Sequence, residues 1–549
     1  VNSQIGTIGK IGFKGNLVGF THDFVSRGNW KTSLGDAYTD LKFKYTSGSM
    51  MDATYIGKLN TPGFDLSTLV GSGIGKFAGE VNVDGKGLKI HTIKATVKST
   101  IDYIEFTGKK LSNGVVDGKF DKAVFDGEAS VKDEHLNMKF AGIINLENNE
   151  PEINIEASIE KANLSYFDLD TGISIVSGRV KTDIKGSNID NITGTVDIDS
   201  LKLRKGKETY FLAKGSLLAE KSPNYRNLTF NSSIADVTIK GDYSIARLPV
   251  SFNNFLWNLA PSYFDFKSGN TNDVFEINAD VKDPALILAY IPPTISFSPL
   301  VFNGNYSSIN NTLHSSLKAQ KIAINGLQLD NVNLELDKKL NEALFVNLST
   351  SRNSYDSLVI SDELVLTADL QNNNMDFVLN TKSNDLEFDA KLKGNLTFVK
   401  DTITLRFLNS GFNAHNRKWT ISEDGKVAYH SNYIDVRDLI VRTENQKLTL
   451  NGAVSNLPKD KLRIEFTNLE PGKLLFDVGV LTKDTLNGKA NGWVELSNLY
   501  NNPLMESDFI FSGAQWNSDS LGNIAVKAAN IDRERLRLDG TQITSGPLN

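Results

Sequence analysis

Cysteine is absent from all 549 residues of this chain, and proline occurs only 13 times. The absence of cysteine excludes disulfide frameworks, thiolate metal sites and cysteine nucleophiles. A long chain without free thiols is typical of an oxidising compartment, and we expect it to lie in the periplasm. The few prolines leave no trace of the linkers rich in Pro, Gly and Ser that separate the domains of many long chains.

The sequence also lacks a membrane-spanning stretch. A spanning helix needs roughly 18–20 apolar residues in succession, and the densest run, Ala285–Ile291, is about as long as a strand and stops at Pro292. The chain opens on Val1 without a basic and apolar leader, and it ends within its own pattern, just after Ser545–Pro547. We therefore expect a fragment of a longer protein whose signal or anchor lies outside this sequence.

Neither positive nor negative charge dominates the sequence. The net charge is −6, and no cluster of Lys and Arg forms the basic face that nucleic-acid binding needs, so we predict no nucleic-acid partner. Hydrophobic residues make up 40% and charged residues 23%, which argues against disorder. The length exceeds what one globular core fills, so the chain is either several domains or one repeating architecture.

Patterns for catalysis and cofactor binding are weak. The glycine-rich segment Gly71–Lys76 resembles a phosphate loop, but such a loop needs glycine ahead of the Gly-Lys pair and Ser or Thr after it. Val70 and Phe77 stand at those positions, and a turn is the simpler interpretation. No Gly-x-Ser-x-Gly elbow for a serine nucleophile occurs either. We predict that the chain is not an enzyme and binds no cofactor.

Metal ligands are not grouped in the sequence. The histidines never fall at the short spacings that place two ligands on one metal, and they are His22, His91, His135, His314, His415 and His430. Two acidic pairs, Asp168/Asp170 and Asp197/Asp199, could bind Ca²⁺ with the help of a loop, although such pairs usually belong to a solvated face or a turn. We predict no metal site.

Alternation of apolar and polar residues dominates the chain. In Lys461–Phe466, the apolar residues Leu462, Ile464 and Phe466 share one face, and three charged residues share the other. Side chains alternate across a strand, so this pattern predicts a ribbon with one apolar face. The predicted apolar lining comprises Ile403, Leu405, Phe407, Leu448, Leu450, Leu462, Ile464, Phe466, Val494 and Leu496.

Turn signals separate these segments at intervals of about 8–15 residues. The signals are Asp84–Gly85, Ser112–Gly114, Asp126–Gly127, Asp424–Gly425 and Asn487–Gly488. Helical spacing is scarce, and only the stretches near Asn253–Leu259 and Leu474–Leu481 predict a turn or two of helix.

An internal repeat links two distant segments. The sequence from Met138 resembles the sequence from Leu448, and both continue through an alternating strand to a Phe-Asp pair and a glycine, at an offset of 309 to 310 residues. Phe-Asp pairs near residues 64, 167, 264 and 476 suggest modules of about 100 residues. The predicted modules are 1–63, 64–166, 167–263, 264–475 and 476–549.

The apolar faces of the predicted strands must be covered by something other than water. Strand follows strand without linkers, so we predict one continuous curled antiparallel sheet, elongated and repetitive (a β-taco), with only short helices. Its inner face forms an apolar groove too large to be left in water. Acyl chains of phospholipid suit such a groove, because each buried methylene contributes roughly 0.8 kcal/mol.

The C-terminal third resembles the periplasmic TamB proteins of the AsmA-like group. The resembling residues are Leu392–Leu396, Ile403–Leu405, Phe412, Trp419–Ile421, Asp438–Val441, Leu448–Gly452 and Leu486–Gly492. The earlier repeat near residues 138–184 extends the resemblance. These motifs are short and degenerate.

This resemblance implies a long β-groove that crosses the periplasm from an N-terminal helix in the inner membrane. It also implies a C-terminal domain that meets an outer-membrane barrel of the Omp85 type (TamA-like). The implied roles are phospholipid movement between the membranes and support of outer-membrane protein assembly. No part of this sequence matches the anchor helix or the closing domain.

Two other architectures remain alternatives. A surface adhesin could be a β-solenoid or a row of β-sandwiches without lipid transport, but it would show a coil period of about 20–30 residues or discrete modules. An outer-membrane barrel would carry aromatic girdles, and aromatic residues make up only 9% here, without clustering at the ends of the chain.

Overall fold

The computed structural model confirms an all-β fold: antiparallel strands fill most of the chain, and the described helices are short. It describes residues 10–46, 49–67, 73–88, 92–269, 271–356, 358–384, 387–414, 416–477, 486–500, 503–517, 519–530 and 536–544. The chain divides into two compact units. Unit 1 comprises residues 1–241 and 279–291, and unit 2 comprises residues 242–278 and 292–549.

Unit 1 contains strands β1 to β15, and each strand from β1 to β14 pairs antiparallel with the next strand along the chain. Their bounds are Gly12–Phe20, Asp23–Thr32, Gly35–Thr46, Ser49–Asp65, Ile74–Lys86, Lys94–Phe106, Lys109–Asp121, Val124–Lys132, Leu136–Asn145, Glu152–Asn163, Ser174–Lys185, Thr193–Lys205, Glu208–Ser222, Tyr225–Ser232 and Ala235–Asp242.

The remaining strands, β16 to β36, continue the chain. Their bounds are Val274–Val281, Ile295–Phe297, Leu300–Ser307, Thr312–Ile324, Leu327–Lys338, Leu344–Thr350, Arg352–Tyr355, Leu358–Ser361, Glu363–Gln371, Asn374–Ser383, Phe388–Val399, Thr402–Ala414, Arg417–Ile421, Lys426–His430, Tyr433–Arg442, Lys447–Val454, Lys461–Leu469, Leu486–Ser497, Leu504–Trp516, Asp519–Asn530 and Leu536–Thr544. In unit 2 the ladder is locally split: β20 pairs with both β21 and β22, and β27 pairs with both β28 and β29.

Three helices occur among the described residues: α1 (Leu248–Leu259), α2 (Ala285–Leu288) and α3 (Pro471–Asp477). The predicted helical stretch Asn253–Leu259 is therefore the second half of a longer helix. The predicted stretch Leu474–Leu481 begins in α3, and its residues from 478 on lie outside the described residues. No described helix is both long and apolar enough to cross a bilayer.

Most of the predicted turns are wrong. Asp84–Gly85, Ser112–Gly114, Asp126–Gly127 and Asn487–Gly488 all lie inside strands, and only Asp424–Gly425 lies between strands. One tight hairpin uses asparagine: Asn372 and Asn373, with φ of 50° and 65°, connect β24 to β25. Asparagine tolerates left-handed backbone, whereas these glycines serve contacts between neighbouring strands.

The internal repeat corresponds to matching strands. Residues 138–144 lie in β9 and residues 448–454 in β31, and each strand is followed by the expected partner, β10 or β32. Gly142 and Gly452 both have positive φ, at 142° and 116°. The two Phe-Asp pairs differ, since Phe167 lies in a loop and Phe476 in α3. The modules of about 100 residues stay a prediction, because the division of the chain into two compact units does not test a repeat in its sequence.

Candidate functional site

The predicted lining residues of β31, β32 and β33 lie on one face of the sheet. Leu450 pairs with Ile464, which pairs with Val494, so these three side chains stand in one row across the strands. A second row contains Leu462 and Leu496. Directly opposed residues of antiparallel strands share a face; that this face lines a groove stays a prediction.

The predicted residues of β27 form part of a similar row. Leu405 pairs with Leu396 on β26 and with Val427 on β29, and Ile403 pairs with Phe398 and Tyr429. Phe407 pairs with Gly394 of β26, which in turn pairs with Phe377 of β25. The ring of Phe377 can approach the backbone there because glycine has no side chain: a Cβ on Gly394 would lie only 2.7 Å from that ring. Apolar side chains thus continue across β25 to β29.

Part of this face is a packed core. Phe466 belongs to a buried cluster with Trp419, Leu469, Ala490, Phe511 and Ala514. Leu448 and Val494 pack against this cluster, as does Leu474 of α3. The other predicted lining residues lie outside the cluster, and all of them except the buried Leu462 are half-buried. The predicted lining therefore divides into a covered part and a less covered part.

The opposite face of β32 and β33 carries an ion-pair network. Lys461 Nζ lies 2.8 Å from Glu495 and 3.3 Å from Glu506, and Arg463 lies 3.0 Å from Glu495. The hydrogen bond from Lys461 is the main reason that the pKa of Glu495 is lowered, although burial opposes this shift. The guanidinium of Arg463 also lies 4.3 Å from the ring centre of Trp493. These contacts hold the charges away from the apolar face.

Sequence reasoning did not single out a second apolar surface, which lies in unit 1. It consists of the apolar rows of β8 to β12, and we call it the open face. Its residues are Phe125, Ala129, Val131, Met138, Phe140, Ile144, Ile153, Ile155, Ala157, Ile159, Val176, Val180, Ile184, Val196, Ile198 and Leu201. The alternation in these strands is the signal that could have identified it.

The side chains of the open face are only partly shielded from water. Residues 124–202 are all described, and none of their hydrophobic side chains is fully buried. Every residue of the open face is half-buried. Among the described helices and strands, those nearest to β8 to β12 are the adjacent strands of the ladder. A two-layer protein buries such rows fully against a second sheet or a helix, whereas these rows stay partly exposed.

Glycines shape the sheet around the open face. A Cβ on Gly142 would lie 2.1 Å from the carbonyl oxygen of Asn154 on β10, and its φ of 142° disfavours other residues. A Cβ on Gly118 of β7 would lie 2.5 Å from the ring of Phe125 on β8. Such close approaches of backbone and rings occur where sheets bend.

The other face of the same strands is polar. A cleft of about 1340 Å³ in unit 1 is lined by these polar rows, which include Arg179, Lys181 and Asp197, and also by open-face residues such as Phe140 and Ala157. Charges of both signs pair with one another here: Lys181 with Glu156 at 2.7 Å, and Arg179 with Asp199. This neutralisation leaves no field of one sign that would select an ion.

A tighter polar cluster surrounds Asp170. Both of its carboxylate oxygens accept hydrogen bonds from Lys205 Nζ at 2.8 Å, and the hydroxyl of Tyr290 donates at 3.2 Å. The hydrogen bond from Lys205 is the largest cause that lowers the pKa of Asp170 to about 2. The neighbouring acidic residue of the sequence pair, Asp168, forms an ion pair with Lys109 at 2.8 Å instead.

Chemistry at a metal or nucleotide has little support. Among the described residues, no three His, Asp or Glu side chains come together as a metal site. Gly73–Lys76 leads into β5, which is a strand rather than the helix that follows a phosphate loop, and Gly71 and Ser72 lie outside the described residues. His91 and His415 also lie outside them.

Comparison with known proteins gives no match: no family model matches the chain, and no curated protein is significantly similar to it.

Proposed function

We propose that this protein is a periplasmic scaffold that carries the acyl chains of phospholipid on the apolar face of its sheet. The observation that supports this most directly is the open face, whose apolar rows are only half-buried. Monomeric soluble proteins rarely expose contiguous apolar patches larger than a few hundred Å². An acyl chain would remove this surface from water at roughly 0.8 kcal/mol for each buried methylene.

The wider biological role follows from the resemblance to the TamB proteins. On that basis the groove bridges the inner and outer membranes and supports outer-membrane biogenesis, with an Omp85-type barrel as its outer-membrane partner. Attachment to the inner membrane through a helix outside this sequence belongs to the same proposal. Each of these roles requires first that the chain binds lipid, and this is the property to test.

The test is a matched pair of charge insertions on neighbouring residues. Ala157 lies on the open face between Phe140 and Val180, and Ser158 lies on the opposite face between Lys139 and Arg179. In Ala157→Asp the new carboxylate enters the acyl path, where an uncompensated charge costs several kcal/mol. In Ser158→Asp the same charge meets two cations and should be tolerated.

The measurement is phospholipid that co-purifies with the chain, quantified by mass spectrometry, beside thermal unfolding. We expect lipid on the wild type and on Ser158→Asp, and little on Ala157→Asp with the fold retained. If the wild type carries no lipid, or if Ala157→Asp unfolds while the control does not, the face is a closed core and the proposal fails.

A further inference from the structure

Helix α1 lies on the apolar face of unit 2. Its residues Phe255 and Leu259 form one buried cluster with Tyr306 of β18, Leu313 of β19 and Leu344 of β21. Tyr306 pairs directly with Leu313, and both belong to the row that would otherwise be open. The helix therefore occupies the position on unit 2 that a ligand would take on the open face of unit 1.

The sequence of the helix suits this position. Phe252, Phe255, Leu256 and Leu259 are spaced as one apolar stripe of an α-helix. The ring of Phe252 lies 5.9 Å from that of Tyr306, although nearly half of the Phe252 side chain remains exposed. A helix of 12 residues is marginal on its own, so its contacts must hold it in place.

A buried carboxylate supplies the second contact. Asp273 is fully buried at the start of β16. It accepts hydrogen bonds from the backbone N–H of Ser244 at 3.0 Å and from the hydroxyl of Ser251 in the helix. Arg247, which precedes the helix, lies 3.5 Å from it. The hydroxyl of Tyr306 donates to the carbonyl of Ser251 at 2.9 Å, which ties the helix to the sheet as well.

A charged residue lies near the same place. Lys338 of β20 pairs with both Leu313 and Leu344, so it shares their face, and it is buried. Its ammonium donates to the carbonyl of Lys339 at 2.9 Å, and burial lowers its pKa. The row that contains Leu313 and Leu344 therefore also holds one buried cation, whose ammonium has a backbone carbonyl as its acceptor.

We propose that helix α1 is a built-in plug, anchored by Asp273, that excludes acyl chains from Leu313 and Leu344 until it moves away from the sheet. This inference rests on the proposed lipid function and adds a regulated step to it. Lipid would occupy the open face of unit 1 in every state, but it would reach this part of unit 2 only when the helix is displaced.

The experiment places a photo-crosslinking amino acid, p-benzoylphenylalanine, at Ile155 on the open face or at Leu344 under the helix. The full chain is illuminated with phosphatidylglycerol vesicles, with and without Asp273→Asn. Ser251→Ala is the milder second variant, because it removes one hydrogen bond and keeps the carboxylate. Amide hydrogen exchange of residues 248–259 measures whether the helix has loosened, and we expect about tenfold faster exchange for the loss of one charge-assisted hydrogen bond.

We expect lipid to label position 155 in every form and position 344 only in the variants with a loosened helix. Equal labelling of both positions in the otherwise unaltered chain overturns the plug but not the lipid function. Labelling of neither position overturns the lipid function itself. A loosened helix with position 344 still unlabelled, or an unchanged helix in both variants, also overturns the plug.

Discussion

Two alanine substitutions compare a covered apolar surface with an open one. Phe466 lies in the packed cluster of unit 2, and Phe140 lies on the open face of unit 1. Phe466 is 9% exposed and packs in the cluster of Trp419, with its ring 5.7 Å from that of Phe509. Its loss leaves a cavity, which costs about 3–5 kcal/mol of unfolding free energy. Phe140 is half-buried between Ala129 and Ala157, and without lipid its ring already contacts water. We therefore expect Phe140→Ala to cost only about 1–2 kcal/mol in lipid-free protein.

The assay is urea unfolding of delipidated protein, followed by hydrogen exchange of peptides from β9 and β32, because the two units need not open together. Addition of phosphatidylglycerol should protect β9 in the wild type and should protect it less in Phe140→Ala, since the ring then contacts acyl chains. Equal destabilisation by the two substitutions in lipid-free protein would refute the distinction between a covered and an open part. The reasoning also fails if lipid protects both proteins equally.

Two further predictions concern unit 1. The pKa of Asp170 is lowered to about 2 in the folded protein, whereas an Asp in an unfolded chain has a pKa of about 3.9. The Asp170 carboxylate therefore contributes fully to stability above about pH 4, and this contribution is lost as the pH falls towards about 2. Thermal unfolding between these pH values should show this loss, and Asp170→Asn should reduce the pH dependence. Gly142→Ala should destabilise the unit by about 1–3 kcal/mol, because of its left-handed backbone and the nearby carbonyl. Gly12→Ala, where the nearest atom is the Cβ of Lys31 at 3.8 Å, is the control and should be tolerated.

The sequence predicted the strands and their apolar faces because both depend on local alternation. Leu450 and Ile464 are placed side by side by a period of two residues together with the short connection between β31 and β32, and no distant information is needed. The turns at Asp126–Gly127 and Asn487–Gly488 were wrong because glycine serves two purposes in a sheet, and the dipeptide alone does not separate a hairpin from a close contact between strands.

Cover over the apolar face could not be predicted in the same way. Phe140 and Phe466 occupy equivalent alternating patterns, yet only Phe466 contacts residues of distant strands and lies in a cluster with a helix packed on it. The helical spacing near Asn253–Leu259 was visible, but the buried Asp273 that anchors this helix lies beyond its end and carries no local pattern. Such contacts depend on tertiary structure, which alternation does not encode.

The ladder of unit 1, in which each strand pairs only with its neighbours along the chain, also determines how this sheet can form and grow. Each hairpin completes its contacts as soon as it leaves the ribosome, so the sheet can extend in the order of synthesis without waiting for distant segments. Insertion of one more hairpin would lengthen the apolar face by roughly 10 Å, at about 4.8 Å for each strand, and would leave the other pairings unchanged. Evolution could thus adjust the reach of this protein two strands at a time.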